Sequence, residues 1–244
     1  MTSSYLPEKR ALFLHVPRTG GTWLGRAMNI AGVPLEKWGT VCPMYRMRKH
    51  TILPHYSKGL LDRVDRIFSF VRHPKDYYVS VWRFTKRAVN IYPENMEQHV
   101  FQQKAASTIV EATYRWKPDF NEWMEEMLEE EPCWVTRWFE RFVGPHRGEF
   151  CHYIGRLETL EQDAAELMGL LGYEERWKEA QPEIAKIKMS RRGVNQRQAP
   201  LIVWEPELLE RVLRNERVAI RRFFGEESSK KRIYRNFLTG EPIW

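Results

Sequence analysis

The sequence predicts an α/β fold, a single domain with a central, mainly parallel β-sheet flanked by helices. Three observations carry that prediction. Short apolar runs at residues 11–16, 66–71 and 150–156 are each followed by a stretch with helical periodicity. The turns between them are rich in glycine, proline and basic residues. No repeat, low-complexity segment or linker divides the 244 residues. In such sheets ligands bind beyond the C-terminal ends of the strands, so the residues after each run carry the functional argument.

Composition narrows the classes. A chain with 43% hydrophobic and 29% charged residues is ordinary for a globular protein. The net charge of +7 favours anionic partners such as a nucleotide, a polyanion or a membrane surface. Residues 1–10 hold no apolar h-region and no stretch approaches the length of a membrane span, so neither a leader nor a span is expected. Cys42, Cys133 and Cys151 are odd in number and scattered, which fits reduced thiols and a cytoplasmic location. The seven histidines lack metal-ligand spacing, so no metal is expected.

In chain order, residues 11–16 form a buried strand that Pro17 and Gly20-Gly21 break. A helix follows over residues 22–31, with Trp23, Leu24, Ala27, Met28 and Ile30 near one face and Gly32 at the C-terminal cap. Strand, glycine loop and helix N-terminus together make an anion site, because freed backbone N–H groups converge there and the helix dipole adds positive charge. Arg18 adds a full charge, and Thr19 and Thr22 add hydroxyl donors. The basic residue precedes the glycines and no Gly-Lys-Ser/Thr follows, so this is not the Mg²⁺-holding loop of a nucleoside triphosphatase. The plainer alternative is a turn whose glycines serve backbone geometry alone.

Residues 33–48 read as irregular, and residues 57–64 as a short helix. The run at 66–71 is apolar enough for a central strand. After Arg72-His73-Pro74, a helix begins near Lys75 or Asp76 and carries Tyr77, Tyr78, Ser80, Trp82 and Phe84. Residues 93–116 read as a helix stopped at Lys117-Pro118, and Asp119 or Asn121 caps another over 122–131. The aromatic stretch 133–143, with Trp134, Trp138, Phe139 and Phe142, is either core or the lining of a substrate pocket. Thr159-Leu160-Glu161-Gln162 has capping-box form and opens a helix ending at Leu171-Gly172. Residues 186–198 are basic and irregular. Pro206 opens one last helix through Phe224, and a polar, basic tail runs over 226–244. The motif-bearing core is 11–195, with the C-terminal helix and tail at 206–244.

Arg72 follows the second strand and therefore faces the same crevice as the first loop. Ser80 lies about one turn inside the next helix, where its hydroxyl can join Arg72 on one anion. A metal-dependent triphosphatase commonly places an aspartate after such a strand; this chain places an arginine. The pattern points to a ligand with two separate phosphates, held without metal; the plainer alternative is a surface arginine and an exposed helical serine.

On these residues the chain resembles the sulfotransferases that use 3′-phosphoadenosine 5′-phosphosulfate (PAPS), which have a sheet-and-helix fold like that of P-loop nucleoside triphosphatases. Pro17-Arg18-Thr19-Gly20-Gly21-Thr22-Trp23 resembles the family's 5′-phosphosulfate loop, and Arg72 through Trp82 resembles its 3′-phosphate motif, including the Arg-to-Ser spacing. Gly155-Arg156-Leu157-Glu158-Thr159-Leu160 is similar to a strand-to-helix junction of bacterial and carbohydrate-type members. Ser190-Arg191-Arg192-Gly193 resembles the late loop that closes on the 3′-phosphate. Two departures stand out: Arg18 replaces the usual lysine, and Gly21 stands where threonine or serine is often found.

The resemblance implies PAPS as donor, adenosine 3′,5′-bisphosphate (PAP) as product and a small-molecule or glycan acceptor. It implies Arg18 and the amides of Gly20 to Thr22 at the departing 5′-phosphate, and Arg191, Arg192 and Gly193 at the 3′-phosphate. Trp23 would pack on the adenine; a core position is the alternative. His50, with Arg48 before it, resembles the histidine of the family's Lys-x-His segment and is the expected general base. His55, Glu94 and Glu97 are the other candidates, and His15 reads as a packed core histidine. Two readings from other classes remain: a kinase-like phosphotransferase, disfavoured by the missing Gly-Lys-Ser/Thr, and a basic polyanion-binding module, for which no nucleic-acid signature is present.

Overall fold

A computed structural model describes residues 3–37, 62–91, 117–144, 150–187 and 202–225, with no side-chain description at 37 or 87–91. The sheet has the order β3-β1-β2-β4-β5. Strands β2 (Ala11–Leu14), β4 (Arg66–Val71) and β5 (Tyr153–Arg156) form its parallel part, with Leu14 opposite Ser69 and Phe70 opposite Gly155. Strands β1 (Ser4–Leu6) and β3 (Glu36–Lys37) extend it antiparallel on the other side of β2. The parallel centre is as predicted. The two antiparallel edge strands were not, because three- and two-residue strands are too short to show a period.

The central strands are buried on both faces, which is why they read as continuous apolar runs. Along β2 the side chains alternate: Phe13 enters one core, and Leu12 and Leu14 enter another. The Phe13 core is closed by α1 (Gly21–Ile30), α5 (Leu160–Leu170) and α6 (Glu174–Ile184), through Trp23, Leu24, Met28, Leu167 and Trp177. The remaining helices are α2 (Pro74–Ile91), α3 (Phe120–Glu130), α4 (Trp134–Val143), α7 (Pro206–Asn215) and α8 (Arg217–Phe224). They share an aromatic core of Tyr77, Tyr78, Trp82, Trp123, Trp134 and Phe139, joined by Val16 and Val71 from the ends of β2 and β4. Of the two readings of residues 133–143, the structure selects core: Trp134, Phe139 and Phe142 are fully buried.

Several local expectations are corrected. The single helix predicted over 206–224 is two, because the chain turns at Glu216 and carries its carboxylate inward. There Oε1 accepts from the Tyr78 hydroxyl at 2.6 Å and the Val135 N–H at 3.0 Å. Oε2 accepts from the Thr136 N–H at 2.8 Å and the Thr136 hydroxyl at 2.6 Å. Glu216 thus caps α4 from a distant part of the chain, a role that local sequence does not reveal. The predicted capping box at α5 does not form: the Thr159 hydroxyl is buried without a partner, and Asp163 accepts the Arg156 N–H at 2.6 Å instead. At α3 the cap is Asp119, whose Oδ1 accepts from the N–H groups of Asn121 and Glu122. Residues 62 and 63 form a turn and 64 is irregular, so the helix expected over 57–64 does not reach its end; residues 57–61, the helix expected over 93–116 and the tail at 226–244 lie outside the described residues.

Candidate active site

The parallel register brings the segments after β2, β4 and β5 to one end of the sheet. In the first, Arg18 has φ 67° and Gly20 φ 87°. A side-chain-bearing residue in that left-handed region costs on the order of 1 kcal/mol. Arg18 is anchored there by its side chain: Nε donates to Ser80 Oγ at 3.1 Å, and the guanidinium lies over the Phe84 ring, 5.1 Å from its centroid. Gly21 is required by crowding, since a Cβ there would sit 2.2 Å from His15 Cδ2. His15 is itself buried and stacked on Phe13 at 5.7 Å, in keeping with the packed-core reading. Helix α1 then starts with no side-chain cap and no acidic residue in its first turn, and Thr22 is exposed there. Its N-terminal amides and dipole therefore remain available to an anion.

In the second segment, Arg72 follows the last residue of β4 and is partly buried. Its Nε is inaccessible and has no hydrogen-bond partner. Burial lowers Arg72 from the usual arginine value, against the opposing pull of Asp76 and Glu158. It remains a cation at any working pH. An unpaired buried guanidinium N–H costs free energy unless an acceptor arrives, so the site fits an anionic ligand. The third segment closes on the other two: Glu158 Oε1 accepts the His73 N–H at 2.7 Å at the start of α2, and the side chains of Leu157 and Leu160 press on Gly20. His73 meets Phe224 edge-on at 5.1 Å, and burial lowers its pKa.

Of the predicted residues, Arg18, Gly20, Gly21, Thr22, Arg72 and Ser80 therefore lie in these converging segments. Two expectations are corrected. The Thr19 side chain is fully buried and its hydroxyl donates to the Val16 carbonyl at 2.8 Å, so it shapes the loop from inside. Trp23 is 3% exposed and meets Trp177 edge-on at 6.4 Å, so it is a core tryptophan and not an adenine platform. Its place on the first helix carries it into the Phe13 core. His50, His55, Glu94, Glu97, Arg191, Arg192 and Gly193 lie outside the described residues.

Sequence reasoning missed two contacts of these segments, Glu158 with His73 and Phe84 with Arg18. Tyr77, Ser80 and Phe84 stand at i, i+3 and i+7, so the helical period alone puts them on one stripe, the one Arg18 lies along. Glu158 had no such signal, because its contact crosses from β5 to α2. Among the described residues no group of three or more His, Cys, Asp and Glu could hold a metal, and no helix is long and apolar enough to cross a membrane.

No curated protein and no solved structure matches the chain. The model of the family described as "Sulfotransferase family" matches residues 4–226, nearly all of the sequence. With the α/β fold and the glycine loop at the head of its first helix, the chain belongs to the sulfotransferase family.

Proposed function

We propose that this sulfotransferase uses PAPS as donor and moves its sulfuryl group to a hydroxyl or amine of a small molecule or glycan, without metal. The observation that carries the reading is the Arg18–Ser80 hydrogen bond. It ties the glycine loop to the helix that follows Arg72, which supports the reading that both act on one ligand. The unpartnered Nε of Arg72 and the uncapped N-terminus of α1 support the same reading.

In the reaction, a bond forms between the acceptor oxygen or nitrogen and sulfur, while the bond from sulfur to the 5′-phosphate oxygen breaks. The electron pair stays on that oxygen, and PAP leaves. Arg18 and the amides of Gly20 to Thr22 stabilise the charge that develops there, as preorganised donors do in phosphoryl transfer. Arg72 and Ser80 hold the 3′-phosphate at the other end, joined by Arg191, Arg192 and Gly193. His50 takes the acceptor proton. Positioning and electrostatics carry the catalysis.

Incubation with ³⁵S-labelled PAPS and a panel of alcohols, phenols, amines and glycans tests this directly. Label on an acceptor supports it; phosphate transfer from Mg-ATP with no sulfuryl transfer would favour the kinase-like alternative. His50→Ala is expected to lower turnover about 10²- to 10⁴-fold while leaving PAP affinity unchanged, measured by initial rates and calorimetry. Unaltered turnover in that variant removes His50 from the role.

A further inference from the structure

Two neighbouring tyrosines on α2 are both wholly buried, and they differ in what their hydroxyls meet. Tyr78 donates to Glu216. The Tyr77 hydroxyl is inaccessible and has no hydrogen-bond partner, although its ring is held edge-on to Phe139 at 5.2 Å and tilted against Trp134 at 6.0 Å. The Trp138 indole N–H approaches the phenol oxygen without reaching hydrogen-bond geometry. Arg72 Nε, Tyr77 O–H and, beside the phenol, Trp138 Nε1 are all buried donors without a partner. Native interiors rarely leave such groups unmet, so a cluster of them marks an acceptor that the chain itself does not supply.

We infer that Tyr77 is a direct contact to the donor's 3′-phosphate, its hydroxyl donating to a phosphate oxygen held by Arg72 and Ser80. The inference rests on the PAPS reading above. Tyr77 precedes Ser80 by three residues on the same stripe of α2, and both Arg18 and Arg72 act on its phenol electrostatically. Burial pushes the phenol well up, so it keeps its proton throughout the working range. Arg18 lies over the adjoining Ser80 and Phe84, and the inference requires that side chain to swing aside when the phosphate enters. The aromatic wall around Tyr77 fixes the direction of its O–H, which makes Tyr77 a selector for nucleotides phosphorylated at the 3′ position.

Calorimetric titration of the purified protein with PAP and with adenosine 5′-monophosphate tests this, with Tyr77→Phe, Tyr78→Phe and the wild type compared. Tyr77→Phe should weaken PAP about tenfold or more, the usual effect of losing a hydrogen bond to a charged group, and leave adenosine 5′-monophosphate unchanged. Its melting temperature should not fall, because only an unpaired hydroxyl is removed. Tyr78→Phe should lower the melting temperature and leave PAP affinity intact. Wild-type affinity for PAP in Tyr77→Phe, or equal losses for both nucleotides, overturns the inference. Failure of the wild type itself to bind PAP overturns the PAPS reading instead, and the inference with it.

Discussion

The buried junction around Glu216 and the partly buried crevice around Arg72 are both polar and built partly on α2, yet they are completed differently. At Glu216 both carboxylate oxygens are filled by Tyr78, Val135 and Thr136, all from the chain itself. At the crevice Arg72 Nε and the Tyr77 hydroxyl are left over, and α1 begins uncapped. One cluster spends its hydrogen bonds on holding helices together. The other leaves donors unmet, at a cost to stability, and under the proposed function a ligand brings the acceptors. The contrast between adjacent Tyr78 and Tyr77 is that difference reduced to two residues.

The sharpest way to break the comparison is Glu216→Ala. It strands buried donors on Tyr78, Val135 and Thr136, and should cost about 4 kcal/mol of stability, read as a lower denaturation midpoint in urea. The folded fraction should bind PAP as before. Arg72→Ala is the reverse case: PAP affinity should fall about 100-fold by calorimetry, with little change in melting temperature, because the buried Nε–H that it removes has no partner in the chain. If Arg72→Ala unfolds the protein, the arginine belongs with the structural cluster and the distinction fails.

A smaller effect concerns pH. Burial lowers the pKa of His73 and, with help from Arg66, that of His152, whose Nδ1 accepts the Ile67 N–H at 3.0 Å. As pH falls, the unfolded chain therefore protonates at these positions first. Their contribution to stability is complete above the ordinary histidine value of about 6.5 and declines below it. Thermal melts should show a lower melting temperature at pH 5.5 than at pH 7.5, with a smaller difference in His152→Gln, whose amide oxygen can still accept from Ile67.

The central fold was legible because β2 and β4 are buried on both faces and carry unbroken apolar runs, and because Gly20-Gly21 and Pro74 punctuate them. The segment at Arg18 and the motif from Arg72 to Ser80 were legible for the same reason: a strand end and a helix start fix where the residues between them point. What stayed hidden depends on long-range contacts. Glu216 breaks the last helix to cap α4 some eighty residues earlier in the chain. Trp23 looks the same in sequence whether it faces adenine or Trp177, and only packing decides. Tyr77 was visible as part of a motif, but its missing partner is a property of three dimensions.

The most direct test of the central claim, a crevice that grips both phosphates of the donor through amides and arginines, is calorimetric titration of the wild-type protein with PAP in EDTA and again in Mg²⁺. The account predicts binding of the same affinity in both buffers, weaker for adenosine 5′-monophosphate, which lacks the 3′-phosphate. Binding that appears only with Mg²⁺, or equal affinity for the two nucleotides, would contradict it.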